Sequence, residues 1–223
     1  MPMSLLSIAP RLITLEGGEG VGKTSAIKVL REELERAGNE VITTREPGGT
    51  PLGEMLRGII CGSLIDHEIS PQAELLMVFA ARAQHLAEVI TPALQRGAVV
   101  LCDRFTDSSY AYQGAGRGIP EPYIDVLDQA FVGVTPGMTI LLDAPVAVGR
   151  QRAAHRGMAA DRIEAEQDDF FDRVRNNFLD RAVADPERFR VVDAARGRAV
   201  VEADLRAAVH HWLNKNSMQE TTS

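Results

Sequence analysis

Eight consecutive residues constrain this chain more than any others: Gly17, Gly18, Glu19, Gly20, Val21, Gly22, Lys23 and Thr24. They fit the pattern G-x-x-x-x-G-K-S/T. Four glycines among the first six let the backbone wrap tightly and turn its N–H groups inward, around an anion. An apolar run at residues 12–15 predicts a buried strand just before the loop. Apolar residues at helical spacing (Ile27, Leu30, Leu34) predict a helix just after it. That helix offers its positive N-terminus to the same anion. Strand, loop and helix together read as a phosphate-binding loop for ATP or GTP. Lys23 is placed to reach the β- and γ-phosphates, and the Thr24 hydroxyl to hold Mg²⁺. The loop alone leaves the reaction open. A GTPase reading needs N-K-x-D and D-x-x-G, and the sequence contains neither.

The rest of the chain alternates strands and helices. Strands are predicted at 41–44, 98–102, 138–142 and 190–192, the second and third of these ending at Asp103 and Asp143. The run closing on Asp103 has the form of a Walker-B strand, which delivers a carboxylate to a metal. Helices are predicted at 24–37, 52–60 and 121–130, and at 202–213. Another starts at Ser70-Pro71 and runs to about 88, with Ser as N-cap and Pro at the first helical position. A long charged helical region covers 146–184, with a break near 156–161. The pattern predicts an α/β fold: a P-loop kinase with a five-stranded parallel sheet and helices on both faces. The expected organisation is one domain over 11–213 with a lid near 149–164, an N-terminal tail at 1–10 and a C-terminal tail at 214–223.

The chain has 223 residues and a formal net charge of -7. An acidic surface argues against nucleic-acid and anionic-membrane partners, so an anionic substrate must meet a local arginine cluster. Two cysteines, Cys61 and Cys102, read as unpaired thiols in a reducing compartment. No run of about 18 apolar residues suggests a membrane span. A cytoplasmic protein is expected. The five histidines show no metal-ligand spacing.

Further stretches carry a family resemblance. Thr44-Arg45-Glu46-Pro47-Gly48-Gly49-Thr50 follows the second strand, and Asp103-Arg104-Phe105 closes the third. Ala111-Tyr112-Gln113-Gly114 and Asp161-Arg162-Ile163-Glu164 come later. With the phosphate loop, these resemble the thymidylate kinases from about residue 11 to 213. The first stretch is close to diagnostic.

The resemblance implies transfer of the γ-phosphoryl group of ATP·Mg²⁺ to dTMP, giving dTDP and ADP for dTTP biosynthesis. It implies that residues 17–24 hold ATP and that Thr24 and Asp103 hold Mg²⁺. Arg45 clamps the acceptor phosphate with help from Arg104. Arg82 and Gln113 read the thymine edge with Ser109 nearby, and Glu19 meets the sugar 3′-hydroxyl. A phenylalanine stacks on the base. Val78 stands where many members carry that ring, and Phe79, one residue on, is expected to supply it. One branch of the family has an arginine at the position of Gly20. Here Arg150, Arg152, Arg156 and Arg162 cluster in the charged region instead, as in the bacterial-like branch with a lid. Catalytic roles are therefore expected for Lys23, Arg104, Arg152, Arg156 and Arg162. The resemblance also implies a homodimer. The alternatives are another mono- or deoxynucleoside kinase, disfavoured by Arg82 and Gln113, and a non-catalytic ATP-binding protein, disfavoured by Lys23, Thr24, Asp103 and Arg104.

Overall fold

The computed structural model describes residues 7–64, 67–154 and 161–220. Five strands form one sheet: β1 (Ser7–Glu16), β2 (Val41–Arg45), β3 (Val99–Asp103), β4 (Val134–Asp143) and β5 (Phe189–Asp193). Their order is β2-β3-β1-β4-β5, and every pair is parallel. The expected sheet is present, with β1 at its centre.

Alternation along β1 separates the two faces. Ile13 and Leu15 join Val99, Leu101, Ile140 and Leu142 on one side. There they meet α1 (Lys23–Arg36), through Val29, Leu30 and Leu34, and α9 (Arg198–Glu220), through Leu205, Val209 and Trp212. Leu30 and Leu34 are wholly buried, each stabilising the fold by about 1.5–3 kcal/mol. Leu12 points the other way, with Val100 and Cys102. It packs on a helical stretch made of α3 (Pro71–His85), a π-helical turn (Leu86–Ile90) and α4 (Thr91–Gln95). Leu141 on that face meets α8 (Asp168–Ala184) through Phe170, Phe171, Val174 and Phe178.

The strands finish level with one another. Asp103 pairs with Leu15 on one side and Arg45 on the other, and Glu16 lies opposite Leu141. Glu16, Arg45, Asp103 and Asp143 thus mark one carboxyl edge, where ligands of open parallel sheets bind.

Several boundaries differ from expectation. The N-terminal tail was expected to end at residue 10, but Ser7, Ile8 and Ala9 already pair with Val134, Thr135 and Pro136. Pro10 and Pro136 read as breaks. The sheet absorbs them as a register shift between Ala9 and Ile13, and the Pro10 carbonyl accepts a 3.1 Å hydrogen bond from Trp212 Nε1. At the other end, α9 continues through Glu220, past the expected stop at 213. No proline or glycine interrupts 214–220. The helical region after β4 comprises α7 (Val146–Ala154) and α8, and α8 starts only at Asp168, later than the break expected at 156–161 implies. The stretch after β3 is helical as well: α5 (Thr106–Ser109) runs into a π-helical turn (Tyr110–Gly116). Gly114 and Gly116 suggest a loop there. Gly116 in fact lets Phe170 lie against the backbone, where a Cβ would come within 2.6 Å of the ring.

Candidate active site

The phosphate loop leaves β1 at Glu16 and enters α1 at Lys23. Gly17, Gly20 and Gly22 all take positive φ, which side-chain-bearing residues rarely adopt. A Cβ on Gly20 would collide with the Gly149 carbonyl of α7, so the loop has no room for the arginine that one branch of the family places there. Lys23 Nζ donates to the carbonyls of Gly18 (2.8 Å) and Gly17 (3.3 Å). Burial, then the nearby Arg104 charge, lower its pKa to about 7, while Asp103, Glu16 and Glu19 oppose the shift. An arriving polyphosphate reverses that balance.

Two aspartates end β3 and β4, the strands on either side of β1, and their surroundings differ. Arg175 holds both oxygens of Asp143 at 2.7 and 2.9 Å. Asp103 Oδ1 is buried with no hydrogen-bond partner among the described residues. Beside Thr24, that open oxygen is suited to a hard cation.

Arg104 follows directly. It is a non-glycine residue at φ 71°, a conformation that surrounding contacts must hold. Its backbone N–H donates to Leu15 O at 2.9 Å. Its guanidinium donates to Ser108 Oγ (3.2 Å) and Tyr112 Oη (2.9 Å) and lies over the Tyr112 ring. Beneath it, buried Glu16 accepts from Phe105 N (2.8 Å) and Ser108 Oγ (2.6 Å). Burial, then the Asp107 charge, raise the pKa of Glu16 to about 8.

Lys23, Thr24, Asp103 and Arg104 share one open cavity with Arg45, Arg57 and Arg152. These arginines rest on local acceptors. Arg45 is paired with Glu54 (2.9 Å) and remains half-exposed. Arg57 donates to Pro47 O (3.1 Å) and Arg152 to Ala194 O (2.6 Å).

A second cavity, about 750 Å³, opens next to it. Arg82, Ser109 and Gln113 all line it, and Glu19 and Arg104 lie in both cavities. Arg82 is almost wholly buried. It donates to Glu46 Oε2 (2.6 Å), Ser109 Oγ (3.0 Å) and Phe105 O (3.0 Å). The other Glu46 oxygen pairs with His85 Nδ1 (2.9 Å), and His85 Nε2 pairs with Thr44 Oγ1 (2.6 Å).

Phe79 does not line this cavity; it is 3% exposed and packs with Leu75, Tyr110, Ile119 and Ile124 beneath the Arg82 guanidinium. The cause is helical geometry. Val78 and Arg82 are four residues apart and share a face, and Phe79 is rotated by about 100° from Val78. Val78 takes the cavity position, and the aromatic wall comes from Tyr112 and Phe171.

Among the lid arginines, Arg152 lies at the phosphate loop. Arg162 faces away from it, donating to Ile60 O (2.8 Å) and to Glu74. Arg156 lies outside the described residues. Arg150 pairs with Asp168 (2.6 Å) and stacks over Phe171.

Sequence reasoning missed Glu16, Glu46, Arg57, Glu74, His85, Tyr112 and Phe171 as parts of the site. Glu46 stood inside the TREPGGT run, and its position next to Arg45 was the available signal. Glu74 looked like an ordinary acidic residue in the first turn of a helix. Only the fold shows that it is buried.

A triphosphate cradle facing an arginine-lined acceptor cavity, across the carboxyl edge of this sheet, defines a P-loop nucleotide kinase. Comparison with known proteins narrows the class. The family model described as thymidylate kinase matches residues 15–205. A thymidylate kinase of Pseudomonas savastanoi pv. phaseolicola is 54% identical over 194 residues, covering 86% of this chain and 91% of that protein. One of Methylococcus capsulatus is 51% identical over 204 residues, covering 91% and 96%. The crystal structure of thymidylate kinase from Ehrlichia chaffeensis superposes with a TM-score of 0.70 at 32% identity, covering 89% of this chain and 97% of that one. The chain belongs to the thymidylate kinase family.

Proposed function

We propose that the chain transfers the γ-phosphoryl group of ATP to the 5′-phosphate of dTMP, yielding dTDP and ADP for dTTP biosynthesis. The observation that carries this reading is the base cavity, where buried Arg82 and Gln113 converge on a space that opens onto Lys23 and Arg104. Arg82 presents donors to a base carbonyl. A base lacking the matching groups leaves buried polar atoms unpaired, which discriminates strongly.

The reaction brings two polyanions together, so positioning and cationic groups supply most of the catalysis. Lys23 leaves the loop carbonyls for the β- and γ-phosphates. Arg104 bridges the donor and acceptor sides. Arg45 leaves Glu54 for the acceptor phosphate, where its planar fork matches phosphate oxygens. Arg57, close by, assists it. Arg152 reaches the transferring group from the lid, and Glu19 meets the sugar 3′-hydroxyl between the two cavities. Thr24 and Asp103 hold Mg²⁺, a role supported by the open Asp103 oxygen. When bound, Mg²⁺ neutralises charge on the β- and γ-phosphate oxygens.

Two further readings go with this one. The free thiols Cys61 and Cys102 support a cytoplasmic setting, and no helix among the described residues is long and apolar enough to cross a membrane. Leu76 on α3, Tyr123 and Val126 on α6 (Glu121–Leu127) and Phe131 in the π-helical turn after it (Asp128–Val132) each expose more than half their surface. This apolar set supports a homodimer paired through helices.

A coupled ADP-release assay with ATP, Mg²⁺ and a panel of dTMP, dUMP, dCMP, dGMP, UMP and thymidine tests the proposal. dTMP is expected to be strongly preferred. Preference for another monophosphate would overturn the acceptor assignment, and ATP binding without turnover on any acceptor would overturn the kinase reading.

A further inference from the structure

We propose that Glu74 sets base specificity by fixing which end of the Gln113 amide faces the acceptor cavity. The inference rests on the dTMP reading above.

Glu74 sits in the first turn of α3, where carboxylates are usually solvated, yet it is only 1% exposed. Three donors converge on it: Gln113 Nε2 at 2.8 Å, Arg117 Nε at 3.3–3.4 Å, and Arg162. A carboxylate facing two guanidinium groups accepts hydrogen bonds and donates none. The Gln113 side chain carries a donor NH₂ and an acceptor oxygen on opposite arms. With the NH₂ committed to Glu74, the arm left for the cavity is the carbonyl Oε1. The flipped amide would set two oxygens against each other in a buried place and strand the NH₂.

Arg82, across the same cavity, has donors alone. Glu46 takes its Nε–H, and Ser109 and Phe105 O take one N–H each from Nη1 and Nη2, which leaves one further N–H on each of these two nitrogens. The cavity therefore presents one donor group and one acceptor. That pair complements a pyrimidine with a C4 carbonyl and an N3–H, which thymine and uracil share. It opposes cytosine, whose C4 amine donates and whose N3 accepts. Gln113 alone could serve either base, and Glu74 removes that choice. It acts through Gln113, as a positioning residue.

Glu74→Gln tests the idea at nearly constant volume. A glutamine at 74 both donates and accepts, so Gln113 can settle either way round. The preference for dTMP over dCMP, as a ratio of kcat/KM, is expected to narrow about tenfold, the scale of one well-placed hydrogen bond. The ratio for dTMP over dUMP is expected to stay within about twofold, because these bases share the edge that Gln113 reads; a general distortion of the cavity would move both ratios. An unchanged dTMP/dCMP ratio in a folded variant would overturn the role of Glu74 and leave the dTMP reading intact. A native enzyme that does not distinguish dTMP from dCMP would overturn both. Should the variant fail to fold, the native protein still decides the matter. The Gln113 side-chain NH₂ protons, followed by ¹⁵N-edited NMR, are expected to be protected from solvent exchange. Rapid exchange of those protons would contradict the inference.

Discussion

Several charged side chains here are held by partners that a substrate can displace, and Lys23 is the plainest case. Its ammonium rests on loop carbonyls, part-buried, with its pKa lowered. Lys23→Ala is expected to reduce turnover by a factor of about 10³ or more, the scale seen when a preorganised charge contact is lost. The thermal midpoint should change little, because the amine bonds only to its own loop. Asp128 is a different kind of buried charge. Its Oδ1 has no hydrogen-bond partner among the described residues. Burial is the main cause that raises its pKa to about 6. A raised carboxyl pKa stabilises the fold most below the unfolded value of about 3.9, and that stability is lost as pH rises through the folded value. Wild-type stability should therefore fall between about pH 4 and 6. Asp128→Asn should flatten this stretch and be on the order of 1–2 kcal/mol more stable than wild type at pH 7. Denaturant melts across that pH range would measure it, and an equally steep slope in the variant would contradict the assignment. Arg45, Arg82, Arg104 and Arg152 were readable from the family resemblance, and Arg57 was not. The groups that orient them, Glu46, Glu74 and Glu16, were not, because a carboxylate in a sequence carries no mark of burial.

The third helix concentrates the acceptor chemistry. Along α3, Glu74, Val78, Arg82 and His85 fall three or four residues apart on one side. Phe79 falls on the other side, in the core. Its start, with Ser70 as cap and Pro71 as first helical residue, was legible, as was an apolar stripe. Which of two adjacent apolar residues meets the ligand was not, since a stripe records burial and gives no distinction between core and cavity. Substitution separates the two positions. Phe79→Ala should cost about 3–5 kcal/mol of stability. Val78→Ala should cost less and act mainly through KM for dTMP; the reverse pattern would return Phe79 to the cavity. The stretch at 110–116 shows a related ambiguity. Its glycines suggest a turn, and they serve close packing against α8 instead.

Strand order and register bring all of this to one edge. β1, β2 and β3 end level, so the phosphate loop, Arg45 and Asp103-Arg104 meet although they lie as much as 87 residues apart in sequence (17 to 104). The alternation of strands and helices sufficed to anticipate a parallel sheet with two helical layers. The exact start of β1 depends on pairing with Val134–Asp143, which no local signal reveals, whereas the continuation of α9 follows from the absence of a proline or glycine at 214–220, which the sequence does carry. Arg45→Ala tests whether the edge divides into a donor and an acceptor side. KM for dTMP should rise tenfold or more, with KM for ATP nearly unchanged; equal effects on both would contradict the division. The most direct measurement follows the phosphorus atoms themselves, by ³¹P NMR of the enzyme with ATP, Mg²⁺ and dTMP. Phosphoryl transfer requires the dTMP resonance to be replaced by the two resonances of dTDP as ADP appears in equal amount. Inorganic phosphate accumulating beside an unchanged dTMP signal would contradict it.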